Sequence, residues 1–329
     1  MASYLARRLL IALPTLLGIT LLTFGILHLA PGDPIAGLED GSRGALTPEA
    51  LAKMRAVYNL DQPLWKQYLL WLGGILRGDL GVSLHDGERV ARKIADRLPA
   101  TLLLAVTAFL LAWGLALPIG IGSAVRPGGS FDRGSGLFFY SIYSIPTFWA
   151  ALLLQMLFAS WLRWLPLQGM YADGSESWPL AGRIADRAAH LLLPAVCLAY
   201  GQLAYLSRFV RSNLLEVMRQ DYIRTARAKG LSERAVTWRH GLSNACLPLI
   251  TLLGLTLPAL AGGAVIVERI FSWPGAGRLL FDSIQQRDLT TLMGLTLVGA
   301  LLTQAGTIAA DLLYALADPR VRYERGGRR

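Results

Sequence analysis

The stretch Asp221 to His240, DYIRTARAKGLSERAVTWRH, carries six Arg, Lys or His among twenty residues and lies between long runs with almost no charge. One Arg at a bilayer centre costs about 2.5 to 3.5 kcal/mol, so a segment this basic belongs in water. Arg219 to Lys229 contains no proline or glycine, and Ala226 and Ala228 favour helix. Gly230 follows as a stop that can adopt the left-handed conformation without steric penalty. Ser232 then caps a second helix starting at Glu233. The chemistry of such a helix, glycine turn and helix is contact rather than bond-making. Three readings compete: a solvated loop on the positively charged side of a membrane, a helix-turn-helix for DNA, or a docking element for a cytosolic protein. A loop tethered at both ends by membrane spans could hardly reach a major groove, whereas small residues at the turn let a partner protein approach closely.

The remaining reactive side chains are dispersed. The four histidines, at positions 28, 85, 190 and 240, are scattered, and no acidic cluster lies in the apolar runs. A chain that itself bound a transition metal would gather such ligands, so no metal site is expected. Cys197 and Cys246 lie in or at the edge of apolar runs, at a spacing that matches no metal or redox motif, and read as small buried hydrophobes. No G-x-x-x-x-G-K-[ST] phosphate loop occurs, and nothing points to a catalytic residue. Acids and histidines within the spans are few: Asp311, His28 and His190. His190 reads as a capping or packing residue, with a proton relay as the alternative, so a secondary transporter is poorly supported.

The elements that must position the basic loop are membrane spans. Of the 329 residues, 53% are hydrophobic and only 16% charged, and the mean hydropathy is +0.43, whereas soluble domains carry roughly 25% charge. Six runs are long enough for a hydrocarbon core of about 30 Å: Leu9 to Leu29, Ala100 to Val125, Gly136 to Trp161, Ala188 to Val210, Cys246 to Val267 and Leu289 to Ala317. The first is longer than the core of a secretory signal and is expected to stay as an anchor. With the N-terminus inside, the cytoplasmic segments, counted with Arg208 at the end of the fourth run, hold 17 Lys and Arg against six acids, so both termini are expected in the cytoplasm. The net charge of +10 follows from this topology and requires no nucleic acid. The chain reads as one domain, residues 1–329, with an extracytoplasmic segment at 30–98 and a cytoplasmic loop at 211–245.

Segment 30–98 opens with PGDP, which stops the first helix, and Thr47, Pro48 and Glu49 form a helix start. PLWKQYLLWLGGIL, from Pro63, suits an amphipathic helix lying at the membrane interface or packed in water. Pro118, Pro146, Pro194, Pro248 and Pro258 are either packing kinks or breaks that line a polar path. In AGGA, Gly262 and Gly263 permit close helix approach or a flexible point. In VERIFSWPGAG, Pro274 and Gly275 are expected at the centre of a type II turn with positive φ at the glycine. Phe271 and Trp273 are placed at the outer interface, in a plain connection or in a short helix closing the outer mouth of a pore.

The loop also resembles the cytoplasmic "EAA" coupling loop of ABC importer permeases, in the form DYIRTARAKGL found in dipeptide, oligopeptide and nickel permeases. The likeness runs through nearly the whole chain: PGDP, LDQPLWKQYLLWLGGILRGDLGVS, RLPATLLL, SIPTFW, NACLPLITLLGL, VERIFSWPGAGRLL and DLLYALADPR occur in order around the six runs. Asn59, where relatives often have Gly, and Thr307, where they often have Asn, depart from the pattern outside the loop.

This resemblance implies an all-α membrane protein of type I ABC importer permease fold, with six transmembrane helices and a large segment between the first two. It implies a bacterial inner-membrane permease subunit of the dipeptide or oligopeptide B type, forming half of a path for short peptides. A nickel or nickel-chelate importer is the alternative. The implied partners are a second, homologous permease in a heterodimer, two ABC ATPase subunits that bind ATP and Mg, an extracytoplasmic substrate-binding protein and the lipid bilayer. Carried onto this chain, Asp221, Thr225, Ala226, Arg227, Ala228, Lys229 and Gly230 make the ATPase contact. Gly262, Gly263, Glu268, Trp273, Pro274 and Gly275 are the candidates for the path or its gate.

Overall fold

The structure is a computed structural model that describes residues 2–29, 49, 53, 55–56, 58–256 and 264–317. Among these, regular structure is helical apart from one antiparallel bridge between Val82 and Arg89. The helices are α1 Ala2–Leu29, α2 Leu64–Ile75, α3 Val90–Val125, α4 Ser130–Tyr143, α5 Thr147–Leu154, α6 Leu180–Met218, α7 Asp221–Ala228, α8 Glu233–Ala235, α9 Leu242–Thr256, α10 Val265–Ile270, α11 Ala276–Gln285 and α12 Leu289–Ala317. α5 continues as a π-helix over Gln155–Trp161, and α8 as another over Val236–Gly241.

Among the described residues, four helices are long and apolar enough to cross a membrane: Leu10–Leu29 in α1, α3, α6 and Leu289–Leu312 in α12. The expected third span is corrected. It is not one rod from Gly136 to Trp161 but two pieces, α4 and α5 with its π extension, bent by 102°. The break falls at Ser144 to Pro146, where proline lacks an N–H and disfavours helix in the residue before it. α6 satisfies the carbonyls there: the Tyr200 hydroxyl donates to Ile145 O at 2.5 Å, and Cys197 Sγ to Thr147 O at 3.4 Å. The expected fifth span, Cys246 to Val267, passes through residues 257–263, outside the described residues. α3 and α6 begin well before their apolar runs, and α6 also ends beyond its run, because their charged end turns carry no hydropathy signal.

The contacts fall into two compact units, Met1–Thr101 with Pro274–Gln304, and Leu102–Trp273 with Ala305–Arg329. In the first, Phe24 and Tyr68 meet edge to face at 5.4 Å, and the Thr20 and Tyr68 hydroxyls lie 3.0 Å apart, joining α1 to α2. The other side of α2 leaves Trp65 and Leu69 exposed, as an interfacial helix would. Val90, Ile94 and Leu295 form a small core with Leu80, Leu279 and Leu280 packed on it.

In the second unit, small residues let helices approach closely: Ala108, Ala112, Ala116, Ala199 and Ala245 are buried with Leu206, Val210 and Leu214. Gly120 marks the tightest contact, since a Cβ there would lie 2.6 Å from both Ser207 O and Val210 Cβ. His190 is buried with Nδ1 2.9 Å from Asp186 O and 3.2 Å from Asp186 Oδ1. Cys197 is buried, while the side chain of Cys246 lies outside the described residues. So do PGDP, Thr47 and Pro48.

Candidate functional site

The basic stretch folds as its residues dictate. α7 ends in a double-bonded αL cap: Gly230, at φ +79°, donates to Arg227 O at 2.9 Å, and Leu231 N donates to Ala226 O at 3.4 Å. Ser232 Oγ accepts from Ala235 N at 3.3 Å and caps α8. Arg227 spans the turn to Glu233, Nε to Oε1 at 2.7 Å and Nη2 to Oε2 at 3.2 Å. That bidentate bond holds the Glu233 carboxyl below the usual carboxylate range and raises the Arg227 guanidinium further.

Under this surface, Ile223, Ala226 and Val236 form a core against Met218 at the end of α6. Asp221, Thr225, Arg227, Ala228, Lys229 and Gly230 are exposed. Ala226 is the correction: at 6% exposure its methyl faces the loop's own core, so it sets the spacing between α7 and the π-helix rather than leaving room for a partner. Three exposed apolar side chains complete the surface, namely Tyr222, Leu231 and Trp238. The sequence signal for them was aromatic and aliphatic residues in a segment that charge dominates. A cavity of about 750 Å³ beside the loop is lined by Arg126, Pro127, Arg219, Arg234 and Trp238 among others.

One ion pair ties this region to the preceding connection. Arg211 Nε and Nη2, on α6, contact both carboxylate oxygens of Asp132 at 2.5 and 2.7 Å, and Gly128 N donates to Oδ2 at 2.8 Å. The 79 residues between Arg211 and Asp132 put this pair beyond any spacing argument.

Of the candidate gate residues, Glu268, Trp273, Pro274 and Gly275 are described. Gly262 and Gly263 lie outside the described residues. Glu268 and Trp273 are both 0% exposed, and Phe271 is also buried, so the expected interfacial placing of Phe271 and Trp273 is corrected. The expected turn is corrected too: Gly275 is extended, at φ −95° and ψ 176°, and caps α11. The positive φ falls instead on Ser272, at +49°, because Trp273 N reaches back to Glu268 O at 2.8 Å and closes the turn early. Pro274 then leads into α11, whose Ala276 amide donates to Thr101 Oγ1 at 2.7 Å.

The first unit holds a buried carboxyl group that the sequence reading missed. Asp288 is fully buried and accepts from Ser83 Oγ at 2.6 Å, Leu84 N at 3.1 Å, Thr291 N at 3.2 Å and Thr291 Oγ1 at 2.5 Å. Lys93 Nζ lies 3.7 Å from Asp288 and 2.6 Å from Asp86. Burial works against the Asp86 charge, but bonds from Lys93, Glu88 N and Ser83 outweigh it and hold Asp86 at about 2.

Comparison with known proteins supplies a family. The family model described as "Binding-protein-dependent transport system inner membrane component" matches residues 116–323, and its N-terminal companion matches residues 1–105. The chain is 44% identical to the oligopeptide transport system permease protein AppB of Bacillus subtilis, over 98% of this chain and 100% of that protein. It is 38% identical to the dipeptide transport system permease protein DppB of Escherichia coli, over 99% and 100% respectively. Among solved structures, a chain of the inward-facing MetNI methionine ABC transporter matches with a TM-score of 0.54 at 17% identity. That match covers 68% of this chain and 96% of the other, a likeness of fold alone.

Proposed function

Because this chain belongs to the binding-protein-dependent transport system inner membrane components, we propose that it is the permease subunit of an ABC importer for short peptides. The observation that carries this is end-to-end likeness to permeases named for oligopeptide and dipeptide transport, joined to a folded, exposed docking loop at Asp221 to His240. Nickel is the disfavoured cargo: the relatives' names are peptide names, and four scattered histidines offer no metal-binding group.

The finer picture belongs to the same proposal. Two ATPase subunits hydrolyse ATP, since this sequence has no phosphate loop, and one docks on the exposed face of α7 through Thr225, Ala228, Lys229 and the neighbouring Tyr222, Leu231 and Trp238. A second permease completes the path, and an extracytoplasmic binding protein delivers the peptide. Six spans with both termini cytoplasmic accord with the basic loops. Glu268, Trp273, Pro274 and Gly275, with Gly262 and Gly263, are the proposed gate residues.

Uptake by the reconstituted complex with its binding protein tests the cargo. Labelled di- and oligopeptides are expected to enter with ATP hydrolysis. Saturable Ni²⁺ uptake with no peptide uptake or competition would overturn the choice. Reporter fusions at Ser42 and Arg329 test the orientation, and a cytosolic signal at Ser42 would reverse it.

A further inference from the structure

We propose that the cleft between α4 and α6 is a headgroup site for an anionic phospholipid, bound through its phosphate by Arg208 and Arg133. The cleft has a volume of about 550 Å³, and three guanidiniums, Arg133, Arg208 and Arg211, line it against one carboxylate, Asp132. Arg211 is committed to Asp132 by the bidentate bond described above. For Arg133 and Arg208 no ion pair is found among the described residues, so the lining keeps an excess of positive charge. Ser212 also lines the space, whereas the Ser123 and Ser135 hydroxyls, which line it too, are engaged with each other at 3.1 Å and Ser135 Oγ donates to Asp132 O at 3.3 Å.

Arg208 is held in a pose that suits a phosphate. Its guanidinium carbon lies 4.5 Å from the centre of the Tyr140 ring and 5.9 Å from that of Tyr143. Cation–π attraction of this kind occupies the face of the guanidinium and leaves the N–H donors at its edge free for an anion.

A free anion would be satisfied by the charges alone, yet the mouth of the cleft is apolar. Leu137, which lines it, is 70% exposed, and Phe138, Tyr140 and Tyr143 on the same helix are also exposed. Positive charge in a cleft beside an exposed apolar and aromatic helix face matches a molecule with a phosphate at one end and acyl chains at the other. With the orientation set by the basic loops, this cleft opens to the cytoplasmic leaflet.

The test titrates the full-length chain, purified with its co-assembled subunits and stripped of lipid, with phosphatidylglycerol, phosphatidylcholine or inorganic phosphate in detergent micelles, and reads retained lipid. Phosphatidylglycerol is expected to be retained over phosphatidylcholine, and inorganic phosphate is expected not to compete at matched concentration. Arg133→Gln with Arg208→Gln is expected to weaken phosphatidylglycerol roughly 30-fold, at about one surface-charge increment per arginine. That variant leaves Asp132 with Arg211 and the docking loop intact. Should it fail to assemble, Arg208→Gln alone is expected to weaken binding roughly 5-fold. Equal retention of the two lipids, unchanged retention in the variants, or competition by inorganic phosphate would overturn the proposal. So would efficient cross-linking of cysteines at Leu137 and Phe138 to a second permease, which would make this face a protein interface.

Discussion

Arg227 and Glu233 clasp each other across the Gly230 turn with two hydrogen bonds, 2.7 and 3.2 Å long. Both side chains are substantially exposed, so the pair adds little to global stability. It does tie α7 to α8, the two helices of the proposed docking surface. Glu233→Gln is therefore expected to insert and unfold like the parent while transporting several-fold less peptide per ATP hydrolysed. An unchanged ratio would show that the clasp has no part in coupling.

The turn itself depends on a conformation that few residues adopt. Gly230 sits at φ +79° with open space around its missing Cβ, so substitution is limited by backbone strain and not by crowding. Gly230→Val is expected to abolish uptake, since a left-handed residue with a Cβ costs about 1 to 2 kcal/mol and β-branching adds to it. Gly230→Asn, which tolerates this region, is expected to retain partial transport. Equal loss in both, measured as uptake at matched membrane abundance, would point to a contact made by the glycine surface and not to its backbone.

Ala226 gives a different outcome from its neighbours. Because its methyl is packed with Ile223 and Val236, Ala226→Trp overfills the loop core, at a cost of about 1 to 3 kcal/mol. Protease sensitivity of the loop should rise together with loss of uptake. Trp238→Ala and Lys229→Glu, both at exposed positions, should reduce uptake with the loop as resistant as before. Resistance unchanged in Ala226→Trp would return its methyl to the partner-facing side.

Asp86 carries a pH prediction. Its carboxyl is held at about 2, below its ordinary 3.8, so the tie to Lys93 stabilises the fold fully above the ordinary value and is lost as pH falls through about 2. The stability difference between the parent and Asp86→Asn is expected to be flat from neutral pH down to about 5 and to vanish toward pH 2. A difference that grew on acidification would mean that the folded state favours the protonated acid.

What was legible in the sequence was local. Gly230, Ser232 and Glu233 announced the turn and cap because those depend on φ preference and on a side chain three residues from its partner. The apolar runs announced both ends of α12 and the C-terminal end of α1, although α1 begins seven residues before its run. The 102° break at Ser144 to Pro146 lay inside a run that hydropathy reads as continuous; Pro146 marked a kink, but the Tyr200 hydroxyl on Ile145 O and Cys197 Sγ on Thr147 O, 55 and 50 residues apart, explain how the broken backbone is satisfied. Asp132 with Arg211 and Ser83 with Asp288 were invisible for the same reason, being 79 and 205 residues apart. The Gly275 turn misled because proline and glycine are strong local signals, whereas the backbone bond from Trp273 to Glu268 closes the turn first and puts positive φ on Ser272.

The docking face is tested most directly by single cysteines at Ala228, Lys229, Ile223 and Ala226 in the assembled complex, in a parent whose two native cysteines, Cys197 and Cys246, are replaced by alanine. With a short bifunctional reagent, positions 228 and 229 are expected to cross-link to the ATPase subunit, more strongly in one nucleotide state than the other. Positions 223 and 226 are expected not to. A complex that transports peptide while none of the exposed positions cross-links, or while the buried pair cross-links as well as the exposed pair, would contradict the account.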